Sequence, residues 1–531
     1  MNENNFLIHW LLILFPLFQI AIQAQQSVNV NGKNVVPEIK FPGITQTDFQ
    51  DAFNVLDECL VKNVPVDGFV YPFMYPGGAY GKTWWQLDGS LTLSGSKWAD
   101  QSFAENVLRN FIAVQKPDGR IPLYGPDMYN LDMFDTASSL KCSSLPKLFE
   151  VAYDVLSRSN DTVLVRDTYN CLKKYLDWWL SYSVRRDSLS GLITGVFEES
   201  FPSDETYFFI KAPVDLNVEV AVGCANVAKL ANQLRLTADY KKYSNIERLL
   251  KNSINNYMWD KTTGAYYSYL VIEKKIDKRL ICYTFDPFKL SIAPQNRIQK
   301  MVQMLIDNKY FNWNSYAITS AAKTCPGYNE TVGIYNGPPA WTGDIWSLRN
   351  ETVIQGLEDI GRYDLSSHLA LKTVMLFNAK NAEFIKPSDG SGQGQPRYGW
   401  SASQYIQIII EKIFGIDYNN FTRTITIMPR LDEELTGKNI SLDSLLLPNG
   451  NRLNLSVSDR TEGVSVKYNI TGRANDMNII LALPAYGKIT YTAVDFKNRK
   501  LILKKFVKGS AKIYQFNNGI KPSGELIFIP K

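Results

Sequence analysis

Five short segments of this chain gather carboxylates, aromatic rings and glycines at spacings that packing alone does not call for. In GGAYGKTWWQLDGSLTLSG, Trp84 and Trp85 stand three or four residues before Asp88. A flat indole can stack on the apolar face of a sugar ring while a carboxylate accepts its hydroxyls. The bland alternative makes Asp88 a cap-like residue at a helix start. KPDGRIPLYGPD places Asp118, Arg120 and Asp127 in a turn-rich loop, where a solvated turn is the simpler reading. SGLITGVFEESFPSDETYFFIKAPVDLN crowds Glu198, Glu199, Asp204, Glu205 and Asp215 among Phe and Tyr. Carboxyls beside aromatics are candidates for a raised pKa, as a proton donor at neutral pH requires. NGPPAWTGDIW offers Trp341, Asp344 and Trp346, and NAEFIKPSDGSGQGQPRYGWSASQY sets Glu383 before a Gly-rich loop and the pair Tyr398 and Trp400.

The residue count narrows what this chemistry can be. Of 531 residues only two are histidine, His9 and His368, and His9 lies in an apolar N-terminal stretch. A multi-His metal cage and an HExxH pair are therefore absent, and His368 sits in a helix-like run, GRYDLSSHLAL. Acid–base work then falls mainly on the 52 acidic residues, and a pair of carboxylates is what glycoside hydrolysis uses. No metal and no cofactor is called for. A net charge of +5 without basic runs lacks the footprint of a nucleic-acid binder. With 45% hydrophobic and 13% aromatic residues, the chain is too apolar for disorder.

Residues 6–24, FLIHWLLILFPLFQIAIQA, read as a secretory signal peptide over 1–24, although MNENN lacks the usual positive charge and an anchor is the alternative. Export to a periplasm, cell surface or secretory route is the expectation, with no membrane span in the mature chain. Cys59, Cys142, Cys171, Cys224, Cys282 and Cys325 show no CxxC spacing. They are read as core residues or as disulfide partners after export. Sequons at Asn160, Asn329, Asn350, Asn420, Asn439, Asn454 and Asn469 matter only in a glycosylating host.

The elements that must hold these segments change character once. From about 45 to 415 the apolar period is helical, as in KWADQSFAENVLRNFIAVQ, where Phe103, Val107, Phe111 and Val114 share a face before PDGR breaks it. Similar patterns run near 46–61, 145–158, 162–183, 214–234, 239–258, 295–307, 345–360, 364–378 and 401–414. Aromatic-laden loops after alternate helices suggest hairpins closing into a toroid with the site on one rim. Beyond about 418 the period is two, giving seven or eight strands of a sandwich that packs on and stiffens the helical part. The expected architecture is mainly α: a toroid over 25–417, then a C-terminal antiparallel β-sandwich over 418–531.

The order of the motifs adds a resemblance. WWQLD, then EES before PVDLN, then W-x-G-x-x-W, then E-x-x-x-P-x-x-G…Y-x-W-S-A resembles the (α/α)6-toroid glycoside hydrolases, most closely the mannosylglycerate hydrolase-like enzymes and more distantly trehalase and the processing α-glucosidases. It spans about residues 70–415. The resemblance implies that Asp88 binds sugar hydroxyls and that Glu383 is the general base. For the acid it implies Glu199, which stands nearest the motif, or Asp204 if a short insertion is allowed. WTGDIW departs from the family's W-R-G-P-x-W, so a ligand-binding arginine is absent and Asp344 stands in its neighbourhood. The implied reaction is inverting hydrolysis of an α-glucoside or α-mannoside, with carboxyls about 6.5–9.5 Å apart. A polysaccharide lyase on a toroid is the runner-up, and a non-catalytic carbohydrate binder holding sugar on Trp85, Trp341 and Trp400 is the reading from another class.

Overall fold

A computed structural model of the chain describes residues 36–126, 142–181, 185–196, 198–201, 211–326, 328–330, 343–460 and 462–531. Its first large part is a ring of helical hairpins. Six inner elements, Gln86–Ser96, Leu148–Arg158, Val214–Gln233, Cys282–Ser291, Ser347–Asp359 and Gly399–Gln407, each pack on the next, and the last closes on the first. Six further helices lie outside them: Gln46–Glu58, Gln101–Val114, Thr162–Trp179, Thr237–Tyr257, Gln295–Ile306 and Tyr363–Phe377.

Inner and outer helices obey different sequence rules. The outer helix Gln101–Val114 starts at Asp100, whose carboxylate accepts the Ser102 and Phe103 amides, and it buries Phe103, Val107 and Phe111 on one side. Gln46–Glu58 carries a reciprocal capping box between Thr45 and Asp48. The inner helix Gln86–Ser96 instead buries every one of its residues, polar ones included. Its small side chains let neighbours approach closely. A methyl group added at Gly95 would lie 2.3 Å from the Ser403 carbonyl oxygen, and the Gly95 amide donates to Ser403 Oγ at 2.7 Å. The ring closes at that contact, so Gly95→Ala is expected to cost about 1–3 kcal/mol through overpacking against backbone. A urea-unfolding midpoint equal to wild type would refute it. Buried charges also knit the ring: the ammonium groups of Lys147 and Lys289 each bridge Glu150 and Glu219, at 2.8–3.2 Å.

The second part is a two-sheet sandwich. One antiparallel sheet runs Glu38–Lys40, Asn439–Leu446, Arg452–Arg460, Gly463–Thr471, Ser523–Pro530, Tyr491–Asp495, Lys500–Leu501. The other runs Ile416–Asn419, Thr424–Ile427, Asn478–Ala485, Ala511–Gly519, Lys504–Lys508. Two details depart from the expected domain. Glu38–Lys40 belongs to the sandwich although it precedes the ring, and Thr424–Ile427 pairs with Asn478–Ala485 in parallel. In Gly463–Thr471 the period of two is plain, with Val464, Val466, Tyr468 and Ile470 buried. Ring and sandwich share one apolar core, and Phe41 meets Phe414 edge-on at 6.4 Å between ring centroids.

All six cysteines are buried free thiols, which fits the core reading. Asn350 is fully buried and its amide donates to the Ile318 and Trp346 carbonyls, so that sequon is a structural asparagine. Among the described residues no helix is long and apolar enough to cross a membrane. The signal-peptide region lies outside the described residues.

Candidate active site

The loops and helix starts that the sequence singled out meet at one place. Leu87, Leu91, Leu145, Phe201, Trp346, Leu348, Phe384, Tyr398 and Trp400 form a separate apolar cluster against which Tyr80 packs. Phe201 stands edge-on to Trp346 at 4.6 Å and to Trp400 at 5.8 Å, and Tyr398 meets Trp400 at 5.0 Å. Edge-to-face rings of this kind make a rigid wall. It brings the 80–91, 201, 346–348 and 384–400 segments together, as the ring's closure requires.

Three carboxyls stand at that wall. Asp88, in the first turn of Gln86–Ser96, accepts the Tyr398 phenol at 2.8 Å, and burial pushes it up to about 6. Glu383 precedes the short strand Phe384–Ile385, which pairs with Gly392–Gln393 in a hairpin. Its Oε1 accepts the Tyr80 hydroxyl at 2.8 Å and its Oε2 accepts the Gln395 amide at 2.8 Å. Gly394 makes this possible: its φ is +69°, and a Cβ there would lie 2.5 Å from Glu383 Oε2. Burial raises Glu383 to about 7, with Asp88 adding repulsion against the two hydrogen bonds. Both phenols are held above their ordinary range, chiefly by burial and then by the facing carboxylates, so they stay neutral donors.

The third carboxyl, Asp344, lies just before the helix Ser347–Asp359, and its neighbour Ile345 exchanges backbone hydrogen bonds with Ile385 at 2.8 and 3.0 Å. Its side chain is fully buried, and among the described residues neither carboxyl oxygen has a hydrogen-bond partner. Burial, then Glu330 and Glu383, push it to about 8.

Glu199 corrects an expectation. Its Oε2 accepts Arg185 Nη1 at 2.7 Å and the Val196 amide at 2.9 Å; its Oε1 accepts Arg185 Nη2 at 2.9 Å and the Ser143 amide at 2.7 Å. Burial pushes the carboxyl up while Arg185 and the two amides pull against it. All four neighbours are donors, so the ionised form is the one that satisfies them. Glu199 is thus held as an anchor for its loop, with four donors opposing the burial that raises it. Its neighbour Glu198, at φ 67°, lies close enough to Tyr80 to raise the phenol further. Asp127, Asp204, Glu205 and Trp341 lie outside the described residues. Asp215 accepts Ser200 Oγ at 2.8 Å and the Phe201 amide at 2.7 Å, which pins Phe201 into the wall.

Two more expected binding residues are structural. Trp84 is 1% exposed, lies flat on Phe69 at 4.5 Å, and donates its indole N–H to the Asp67 carbonyl at 2.9 Å. Arg120 is 1% exposed and donates to the Cys142 carbonyl at 2.9 Å, bracing the 120 and 142 segments. Trp85 is half-buried and stacks on Tyr124 at 4.8 Å, leaving it as the tryptophan of the pair suited to a sugar face. Tyr398 and Trp400 are buried wall residues, and the Trp400 indole N–H finds no acceptor among the described residues. Tyr80 was missed by sequence reasoning, although it lies in the same Gly-rich stretch as Asp88. Among the described residues no group of three or more His, Cys, Asp or Glu is placed to hold a metal.

A six-hairpin ring with carboxyls converging at its inner-helix starts defines the class: a toroidal glycosidase. Residues 82–401 match the family described as the mannosylglycerate hydrolase MGH1-like glycoside hydrolase domain, and the chain belongs to that family. Solved structures agree on the fold. The GH63 mannosylglycerate hydrolase from Thermus thermophilus in complex with glucose is 18% identical, with a TM-score of 0.55 over 67% of this chain and 98% of that one. The same enzyme with Tris and D-glycerate gives 17%, 0.56, 68% and 99%. An α-L-rhamnosidase from Dictyoglumus thermophilum, at 12% identity, gives a TM-score of 0.56 over 85% of this chain and 46% of that one.

Proposed function

We propose that this glycosidase is exported and cleaves a small α-glucoside or α-mannoside with inversion of the anomeric centre. Glu383 is the base, Asp88 holds sugar hydroxyls, and Trp85 offers the stacking face. The observation that carries the reading is the setting of Glu383, a buried carboxyl steadied by one phenol and one amide and raised to about 7. A base poised near the working pH can take a proton from water while the acid protonates the glycosidic oxygen on the other face. The acid belongs to the 198–204 loop: Asp204 by resemblance, or Glu198, the described carboxyl of that loop that influences Tyr80.

The lyase alternative loses its histidine. His368 Nδ1 is bonded to Asp432 at 3.0 Å and the ring packs on Trp313, away from the carboxyl cluster. Neutral, strongly raised phenols are also poor proton abstractors. Proton NMR of the first-formed anomer, on a panel of aryl and natural α- and β-glycosides, tests the proposal. A β-configured sugar released from an α-glycoside is expected. Retention, or an unsaturated product, would overturn it, and Glu198→Gln beside Asp204→Asn identifies the acid.

A further inference from the structure

Asp344 is the one carboxyl of this site left wholly unsatisfied by the described residues: it is 0% exposed and neither oxygen meets a donor among them. Buried polar atoms without partners are rare, and each one calls for a reason. Three fully buried arginines of the ring are committed elsewhere. Arg185 grips Glu199, Arg120 braces Cys142, and Arg349 bonds to Asp286. The charges that bear on Asp344 are two further acids, Glu330 and Glu383. Glu330 is itself engaged, accepting the Tyr328 hydroxyl at 2.9 Å. A ligand bringing a negative charge there would meet acids and no uncommitted buried cation among the described residues. A ligand bringing two adjacent hydroxyls would meet, in the ionised carboxyl, two oxygens that each accept one of them.

We propose that Asp344 is a substrate-binding residue that sets specificity: it receives a pair of neighbouring, uncharged hydroxyls of the glycoside and turns away ligands carrying a carboxylate. The proposal rests on the glycosidase reading and adds the charge class of the substrate to it. It also explains why the orphan persists, because a bound diol would satisfy both oxygens at once and remove the cost of burying them alone.

The test uses the full chain and two matched pairs: the α-mannoside of glycerol against that of glycerate, and methyl α-glucoside against methyl α-glucuronide. The pairs place the carboxylate on either side of the scissile bond, so the side on which Asp344 stands does not decide the outcome. In wild type at about pH 9, where Asp344 is ionised, kcat/KM for the neutral member of at least one pair is expected to exceed that of its charged partner by about 10²-fold or more, as like-charge rejection in a buried site allows. Asp344→Asn should shrink that ratio by about tenfold or more, the neutral substrate losing chiefly in KM. An unchanged ratio in the variant overturns the proposal, as a carboxyl satisfied only by a buried water predicts. So does an equal loss of kcat on both members, the mark of a group acting on bond cleavage. Should wild type hydrolyse none of the four, the reading of its substrate as a small α-glucoside or α-mannoside fails. Equilibrium binding of the same pairs then decides separately: neutral preference lost in Asp344→Asn supports the proposal, and equal or absent binding ends it.

Discussion

Glu383→Gln is expected to lower kcat by about 10²–10⁴-fold, the usual contribution of one positioned base, while the fold stays intact. Gln keeps an oxygen to accept either Tyr80 or the Gln395 amide, so the hairpin can hold its shape. The wild-type pH profile should carry the same signature. A base raised to about 7 must be ionised to work, so kcat/KM falls as pH drops through about 7, well above an ordinary carboxylate limb. Stability runs the other way. Because the folded pKa lies above the ordinary value of 4.5, the protonated carboxyl favours the fold at low pH, and that advantage is lost as pH rises from there through about 7. The loss is on the order of 3 kcal/mol, and Gln escapes it. The variant should therefore be inactive yet at least as stable as wild type at about pH 8 by thermal unfolding. Near-normal turnover would move the base elsewhere, and an unfolded variant would leave the pH limb to decide.

Arg185→Met should unfold the protein more readily by about 3–5 kcal/mol, the cost of stranding a buried charge. Glu199 is 0% exposed, and the guanidinium supplies two of its four donors. Arg185 also stacks over Trp178 at 4.8 Å, so Met retains part of the packing and isolates the charge effect. Replacing Glu199 by Met as well should recover much of the loss, since a buried pair exchanged for apolar side chains is often neutral. Urea midpoints of the two single variants and the double variant measure this. A single-variant loss under about 1 kcal/mol would mean that Glu199 takes up a proton cheaply, and would reopen its candidacy as the acid.

The outer helices were legible because each has one face on the core: Phe103, Val107 and Phe111 advertise Gln101–Val114. Gln86–Ser96 was less so, since a helix buried on every side shows no period, and QLDGSLTLSGS reads equally as a loop or as a helix start at Asp88. Cys282–Ser291 was hidden the same way, with Pro287 inside it. The site was legible as segments and less so as roles. Asp88 and Glu383 meet phenols, while Glu199, in the same acidic run as Glu198, is locked by an arginine fourteen residues upstream that no spacing rule points to. WW likewise hides a division of labour, since one indole faces Phe69 and the next faces Tyr124.

The strand Glu38–Lys40 pairs with Asn439–Leu446, and the ring closes between Gln86–Ser96 and Gly399–Gln407. On a ribosome, where synthesis runs from the N-terminus, both seams must wait. The first hairpin is made early yet has no neighbour on one side until residue 407 emerges, and the strand before it stays unpaired until residue 446 does. Nascent chains arrested before these points should expose apolar ring surface and a bare strand edge, the state that chaperones recognise. A ring excised at residue 417 would keep that edge exposed for good, so the sandwich acts as the clasp that lets the earliest part of the chain finish folding last.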